Sequence, residues 1–245
     1  MTTVAQKLTT IDNSLKAIKQ AIITKGVTPT GDITTYATAI GNISGGGTPS
    51  GKYTLLDRVE DDNGNEIGTV SGFFTDANDI EYAVICLDQI YRPTSSAKWC
   101  SDSSSNSITN LPVLDRLSSS WFTSKDTATF NTQCILDYCT SNNYTSEACS
   151  HCRSKSFIID GTTYYGQLPN MLELLDIYKN YISIDNADTS STATSRKLYN
   201  FSMIWSSNQS YQNYAWCLYN YGTVNSINRT GGCRITPVLE IPLNS

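Results

Sequence analysis

Cys134, Cys139, Cys149 and Cys152, with the chain's only histidine at His151, fall within one short stretch and invite comparison with a zinc site. The spacing argues otherwise. On a helix, residues five apart such as Cys134 and Cys139 point about 140° apart, and Cys149 and Cys152 at i, i+3 are what a buried face of small residues shows. Structural zinc usually takes its cysteines from tight turns. His151 is the one ordinary candidate for a base working near neutral pH, but its neighbour Cys152 diverges from it on a helix, so no Cys–His nucleophile pair is expected. "DDNGNEIG", residues 61–68, has the oxygens for calcium, yet its glycine falls two places early for a calcium loop and no glutamate closes it. A hairpin turn explains those residues instead. No catalytic residue, metal ligand or cofactor is expected.

The segment with the most unusual composition is "SSNQSYQNYAWCLYNYGTVNS", residues 206–226. From Trp205 to Arg234 there is no Asp, Glu or Lys, so the paired carboxylates of glycosidic cleavage are missing from it. Asn, Ser, Tyr and Arg are the palette of a binding surface: Tyr gives large rigid contact area at low entropy cost, and Ser and Asn give adaptable hydrogen bonds. The alternative is an ordinary polar loop.

The 245 residues suffice for one main domain with an appendage. A net charge of −5 and a pI near 4.8 provide no basic stripe for phosphates, so neither nucleic acid nor an anionic membrane surface is an expected partner. "MTTVAQKLTTIDNSLK" lacks the layout of a secretory signal, and no apolar run approaches a membrane span, which predicts folding in the cytoplasm. Free thiols are the expected state of the eight cysteines, a disulfide framework being the alternative.

The elements that must position these residues are legible in outline. Val4, Leu8, Ile11, Leu15, Ile18 and Ile22 follow a heptad seam. Leu or Ile at a with Ile or Val at d favours three or four strands over two; the alternative is one helix packed on its own chain. "DITTYATAIGNI" resumes a helical pattern after Gly26, Pro29 and Gly31. Residues 1–43 thus form a helical oligomerisation or attachment segment, and "SGGGTPSG", residues 44–51, a flexible linker. Beyond it, "YTLLDRV", "EIGTVSGFF" and "IEYAVICL" read as strands, the first two joined across Asn63-Gly64. "FNTQCILDYC", "SEACSHCRS" and "LPNMLELLDIYKNYI" read as helical, with Pro169 in a first turn and Leu172, Leu175, Tyr178 and Ile182 sharing a face. "FSMIWSS", "YAWCLYN" and "CRITPVLEIPL" are strands again.

"IWSSNQSYQNYAWCLYNYGTVNSINRTGGCRITPVLEI" resembles the C-terminal variable region of diversity-generating retroelement target proteins, through Trp205-Ser206-Ser207, Ala215-Trp216, Gly222 and Pro237-Val238. "GTTYYGQLPNMLELLDIYKN" is similar to the segment ahead of that region. The resemblance covers residues 52–245, with a variable region at about 205–238. It implies an α+β, C-type lectin-like fold on which adenine-directed mutagenesis scatters residues across a ligand-binding face. Thr236 stands where an Arg before Pro-Val is common, and "QLPN" is not the sugar-binding calcium triplet, so calcium is not carried over.

The implied ligand-binding residues are Asn208, Gln209, Ser210, Tyr211, Gln212, Asn213, Tyr214, Cys217, Tyr219, Tyr221, Asn225, Ser226, Asn228, Arg229 and Cys233, with Trp205, Trp216 and Gly222 as scaffold. The N-terminal segment resembles short modules of phage tail and fibre proteins. Together these imply a non-enzymatic receptor-binding protein of a virion tail, homo-oligomeric and favouring a trimer. Its partners would be tail proteins and a bacterial cell-surface ligand, protein or glycan. The alternatives are an enzyme of the formylglycine-generating type, which shares the fold, and a structural tail protein.

Overall fold

The computed structural model describes residues 52–88, 97–108, 110–113, 126–187, 203–219 and 221–243, the side chains of 181–183 and 185–187 excepted. All lie in Lys52–Ser245, one of two units into which the chain divides, the other being Met1–Gly51. The heptad segment and the 44–51 linker lie outside the described residues. Within them the architecture is α+β, with three α-helices and several antiparallel sheets.

A four-stranded sheet, ordered β1-β2-β3-β11, joins the two ends of this unit: β1 (Arg58–Glu60), β2 (Glu66–Thr75), β3 (Glu81–Leu87) and β11 (Val238–Pro242). The carboxylate-rich segment after β1 is a hairpin turn. Asp61 Oδ1 accepts the backbone N–H of Asn63 at 3.0 Å and of Asn65 at 2.9 Å, so the oxygens that suggested calcium are used locally. Strand periodicity then divides the sheet's two faces. Ala83, Ile85 and Leu87 pack with Leu239 and Ile241 against Phe157, Ile159 and Tyr164 of the hairpin formed by β5 (Ser156–Ile159) and β6 (Thr162–Tyr165). Val84 and Cys86 point the other way, onto the third helix. "YTLLDRV" is the overreach here, since only its last two residues enter β1.

The helices are α1 (Ala128–Ser141), α2 (Glu147–Arg153) and α3 (Met171–Ala187). Thr127 and Ser146 cap the first two by accepting from Phe130 N and Cys149 N. Pro169 lies outside α3 rather than in its first turn. Asn170 is the cap: its Oδ1 accepts Glu173 N at 2.9 Å while Glu173 accepts Asn170 N at 2.7 Å, a reciprocal capping box. The buried face of α3 carries Met171, Leu174 and Ile177, while Leu172, Leu175 and Tyr178 are half-buried beside it. Leu172, Leu175 and Tyr178 thus share a flank of that core, and the side chain of Ile182 lies outside the described residues.

Glu240 of β11 binds the N-terminus of α1, accepting Ala128 N at 2.7 Å and Thr129 N at 2.8 Å, where α1 has no acidic residue in its own first turn. It also meets Glu173. Burial holds the Glu173 carboxyl well above the usual range, reinforced by the Glu240 charge and hydrogen bond and by Asp176. A folded-state value above the unfolded one means that bound proton stabilises the fold at acid pH, and the contribution fades as pH rises through the raised value. Glu173→Gln keeps an oxygen for the Asn170 cap and offers an N–H to Glu240. The variant should melt above the parent at about pH 9, with the gap closing toward about pH 5, as paired thermal melts will read. A gap independent of pH would exclude a shared proton.

Candidate ligand-binding face

A three-stranded antiparallel sheet, β7 (Met203–Tyr211), β8 (Tyr214–Tyr219) and β9 (Val224–Asn228), carries the Asn/Ser/Tyr-rich segment. A short pair, β4 (Ala97–Lys98) with β10 (Gly232–Cys233), lies beside β7: Trp205 N donates to Arg234 O and Arg234 N to Met203 O. β9 and β10 were not resolved as separate strands by the sequence pattern, because short half-buried strands show little alternation.

Much of β7 is interior. Trp205 is wholly buried and donates its indole N–H to Ala97 O at 2.8 Å, and Trp99 donates likewise to Ser206 O. Ser206 Oγ donates to Trp216 O, Ser207 Oγ accepts from Asn131 of α1, Asn208 Oδ1 accepts Met171 N at 2.6 Å, and Gln209 Oε1 accepts Ile108 N at 2.8 Å. The β7–β8 register breaks between Trp205 and Gln209 and again before Tyr211, which frees these side chains to tie neighbouring segments together. Asn208, Gln209 and Ser210, expected on the ligand face, are therefore buried. The amides of Asn208 and Gln209 satisfy helix and loop backbone that would otherwise lack partners.

Arg229 is the largest correction. It has no exposed surface: it donates through Nε to Asp102 O at 2.9 Å, pairs with the Asp102 carboxylate and reaches Ser104 O at 3.2 Å. Its guanidinium lies over the Tyr138 ring, 5.8 Å from the centroid. Burial alone would raise the Asp102 carboxyl, but hydrogen bonds from Tyr138 and Ser104 and the Arg229 charge hold it below the usual range. Asp102 is 127 positions away in sequence, and no local pattern reveals it.

Cys217 and Cys233 are also buried, within one core cluster. They belong to the core with Cys100, Cys139, Cys149 and Cys152, as the i, i+3 spacing predicts for the last two. His151 is half-buried on α2; burial, then Lys155, lower its value, while Cys152 points into the core. Among the described residues no three His, Cys, Asp or Glu side chains are arranged to hold a metal. In a cavity of about 400 Å³ beside β1, Lys52 pairs with Asp160, and Asp62 accepts the N–H groups of Asp160 and Gly161.

What remains outside is aromatic. Tyr211 and Gln212 are exposed and Asn213 and Tyr214 half-exposed at the β7–β8 turn, where the rings of Tyr211 and Tyr214 stack at 4.9 Å and 8°. At the other end of β8, Tyr219 and the exposed Tyr221 pair at 5.3 Å and 32°. The two pairs do not form one patch. Tyr214 and Tyr219 are five residues apart, roughly 17 Å along a strand, and the odd spacing sends them to opposite faces. Asn225, Ser226 and Asn228 are half-buried on β9, and Tyr214 stands opposite Asn228. Asn228 Oδ1 is partly used by Thr230 N and Oγ1. Thr223, which the sequence reading passed over, is exposed beside Tyr221. Gly222 anchors that turn: its φ is +82° and a Cβ there would sit 2.8 Å from the Tyr178 ring, so only glycine suits it.

The fold and face thus define an α+β protein that presents stacked tyrosines on an antiparallel sheet. No protein-family profile, no curated protein and no solved structure matches the chain. No helix among the described residues is long and apolar enough to cross a membrane.

Proposed function

We propose that the chain is a non-enzymatic receptor-binding protein, of the kind displayed on phage tails or encoded by prophages, with a diversified ligand face on a C-type lectin-like domain. The carrying observation is the stacked, outward Tyr211–Tyr214 pair at a hairpin tip, in a segment free of Asp, Glu and Lys. A preformed aromatic stack binds with little side-chain entropy lost. Support also comes from the division of labour along the resembling motif: Trp205, Trp216 and Val238 are buried and Gly222 holds a turn, while Tyr211, Gln212 and Tyr221 between them face outward. The ligand would be a protein or glycan of a bacterial surface, and oligomerisation through residues 1–43, a trimer being favoured, would multiply weak single contacts into tight adhesion. The enzymatic alternative rests on Cys217 and Cys233 as a cysteine pair, and the burial of both thiols weighs against it.

Tyr211→Ser with Tyr214→Ser should abolish adhesion to a susceptible cell while changing stability by only about 1 kcal/mol, because exposed positions tolerate change and aromatic anchors dominate binding faces. The matching pair Tyr219→Ser with Tyr221→Ser, on the far end of β8, should weaken adhesion less. Cell-binding assays beside thermal melts read both. Undiminished adhesion in the combined quadruple variant rejects the aromatic face. An imperfect genomic copy of the segment coding for 205–238, differing mainly at adenines and lying beside a reverse transcriptase, is the corresponding expectation for diversification.

A further inference from the structure

The loop after β4 brings Cys100 within 3.4 Å, sulfur to sulfur, of Cys139 in the last turn of α1, and both thiols are buried. The surroundings lock this approach from both sides. Cys100 N donates to Arg229 O, Ser101 N donates to Thr145 O at 2.7 Å while Thr145 N donates to Ser101 Oγ, and Tyr138, the residue before Cys139, hydrogen-bonds Asp102. Two short backbone segments are thus pinned together by neighbours other than the thiols themselves. The sulfurs at 3.4 Å must close to a bond of about 2 Å.

We propose that Cys100 and Cys139 are a disulfide-forming pair, through which an oxidising environment staples the loop beneath Arg229 to the end of α1. In the step, the Cys100 thiolate attacks one sulfur of a low-molecular-weight disulfide such as oxidised glutathione and expels one thiolate. The Cys139 thiolate then attacks Cys100 Sγ in the mixed disulfide and expels the second. Two protein thiols lose two protons and two electrons, and the external disulfide becomes two thiols. The roles follow the local chemistry. The hydrogen bond between the two thiols pulls the Cys100 thiol down, and the same bond, then burial, pushes Cys139 up. Burial of both sulfurs makes the reaction slow in the closed fold, so it belongs to folding or to transient opening, and the product is afterwards shielded from reductant.

The crosslink would close a loop between positions 39 apart and fix the segment that holds Asp102 against Arg229, the floor under the end of β9. This is independent of what the outer face binds. The test refolds the full chain from the reduced, denatured state in a glutathione redox buffer and in excess dithiol, alkylates free thiols, and maps the peptides. Joined Cys100 and Cys139 peptides are expected in the oxidised sample, with a melting temperature about 5–15 °C above the reduced one. The Cys100→Ser, Cys139→Ser double variant should lose most of that oxidation-dependent rise. Should it not fold, the peptide map of the unaltered chain still decides. Cys100 and Cys139 both recovered alkylated from the oxidising buffer, or joined instead to Cys149 or another cysteine, would overturn the assignment.

Discussion

Arg229→Ala should fail as a fold before it fails as a binder. Its guanidinium is wholly buried against a carboxylate that is itself 1 % exposed, and removing one partner of a buried ion pair leaves an uncompensated charge that costs about 3–5 kcal/mol. For a domain of this size that is a fall in melting temperature of roughly 10 °C. The penalty lies in the stranded Asp102 rather than in lost attraction. Pairing Arg229→Met with Asp102→Asn removes both charges; the amide oxygen can still accept the Ser104 N–H, and the amide NH2 can donate to the Tyr138 hydroxyl, whose own proton then needs a new acceptor, so the double variant should recover much of the loss. Melts of the two single variants and the double form the cycle. Normal stability in Arg229→Ala with adhesion lost would instead place Arg229 on the surface, as the sequence pattern suggested.

That contrast marks where the sequence is legible. Local signals carried far: Asn63-Gly64 marks the β1–β2 hairpin, and the short apolar run of "IEYAVICL" marks a strand that sends Ile85 and Val84 to different cores. Another signal of the same kind went unread. Asp160-Gly161, with φ of +52° and +73°, is a two-residue hairpin loop joining β5 to β6 and was visible as a dipeptide. The face was harder, because Asn, Ser and Arg are the vocabulary of a recognition surface and also of buried polar wiring. Which role Asn208 takes depends on Met171 N, an unpaired helix-start donor 37 positions away. Tyrosine was more telling, since the exposed Tyr211 closes β7 at the hairpin tip and the exposed Tyr221 lies just past the end of β8. Burial of a polar residue is set by long-range partners, and composition cannot supply them.

Trp205→Ala should be the most damaging single change in the motif, more so than Trp216→Ala. Both are framework residues, but their surroundings differ. Trp205 is 0 % exposed within the large core formed by Trp99, Ile135, Leu168 and six cysteines, and its indole N–H holds the backbone of Ala97 at β4. Trp216 closes a smaller cluster with Met171, flanked by the half-buried Leu175 and Val224. Truncating a buried aromatic costs about 3–5 kcal/mol, scaled by how poorly the site can collapse. At Trp205 the cavity is walled by β8, β10 and α1 together, and Ala97 O also loses its donor, which adds about 1–3 kcal/mol. The sum approaches the roughly 5–15 kcal/mol that holds a domain together. Trp205→Ala should therefore be recovered unfolded or as a loosely packed state, and Trp216→Ala as a folded protein with a lower melting temperature. Near-ultraviolet circular dichroism and denaturant titration separate these outcomes. Equal losses at the two positions would mean that the core under β7 is no more tightly built than the face of α3, and that the tyrosines above it rest on a softer sheet than proposed.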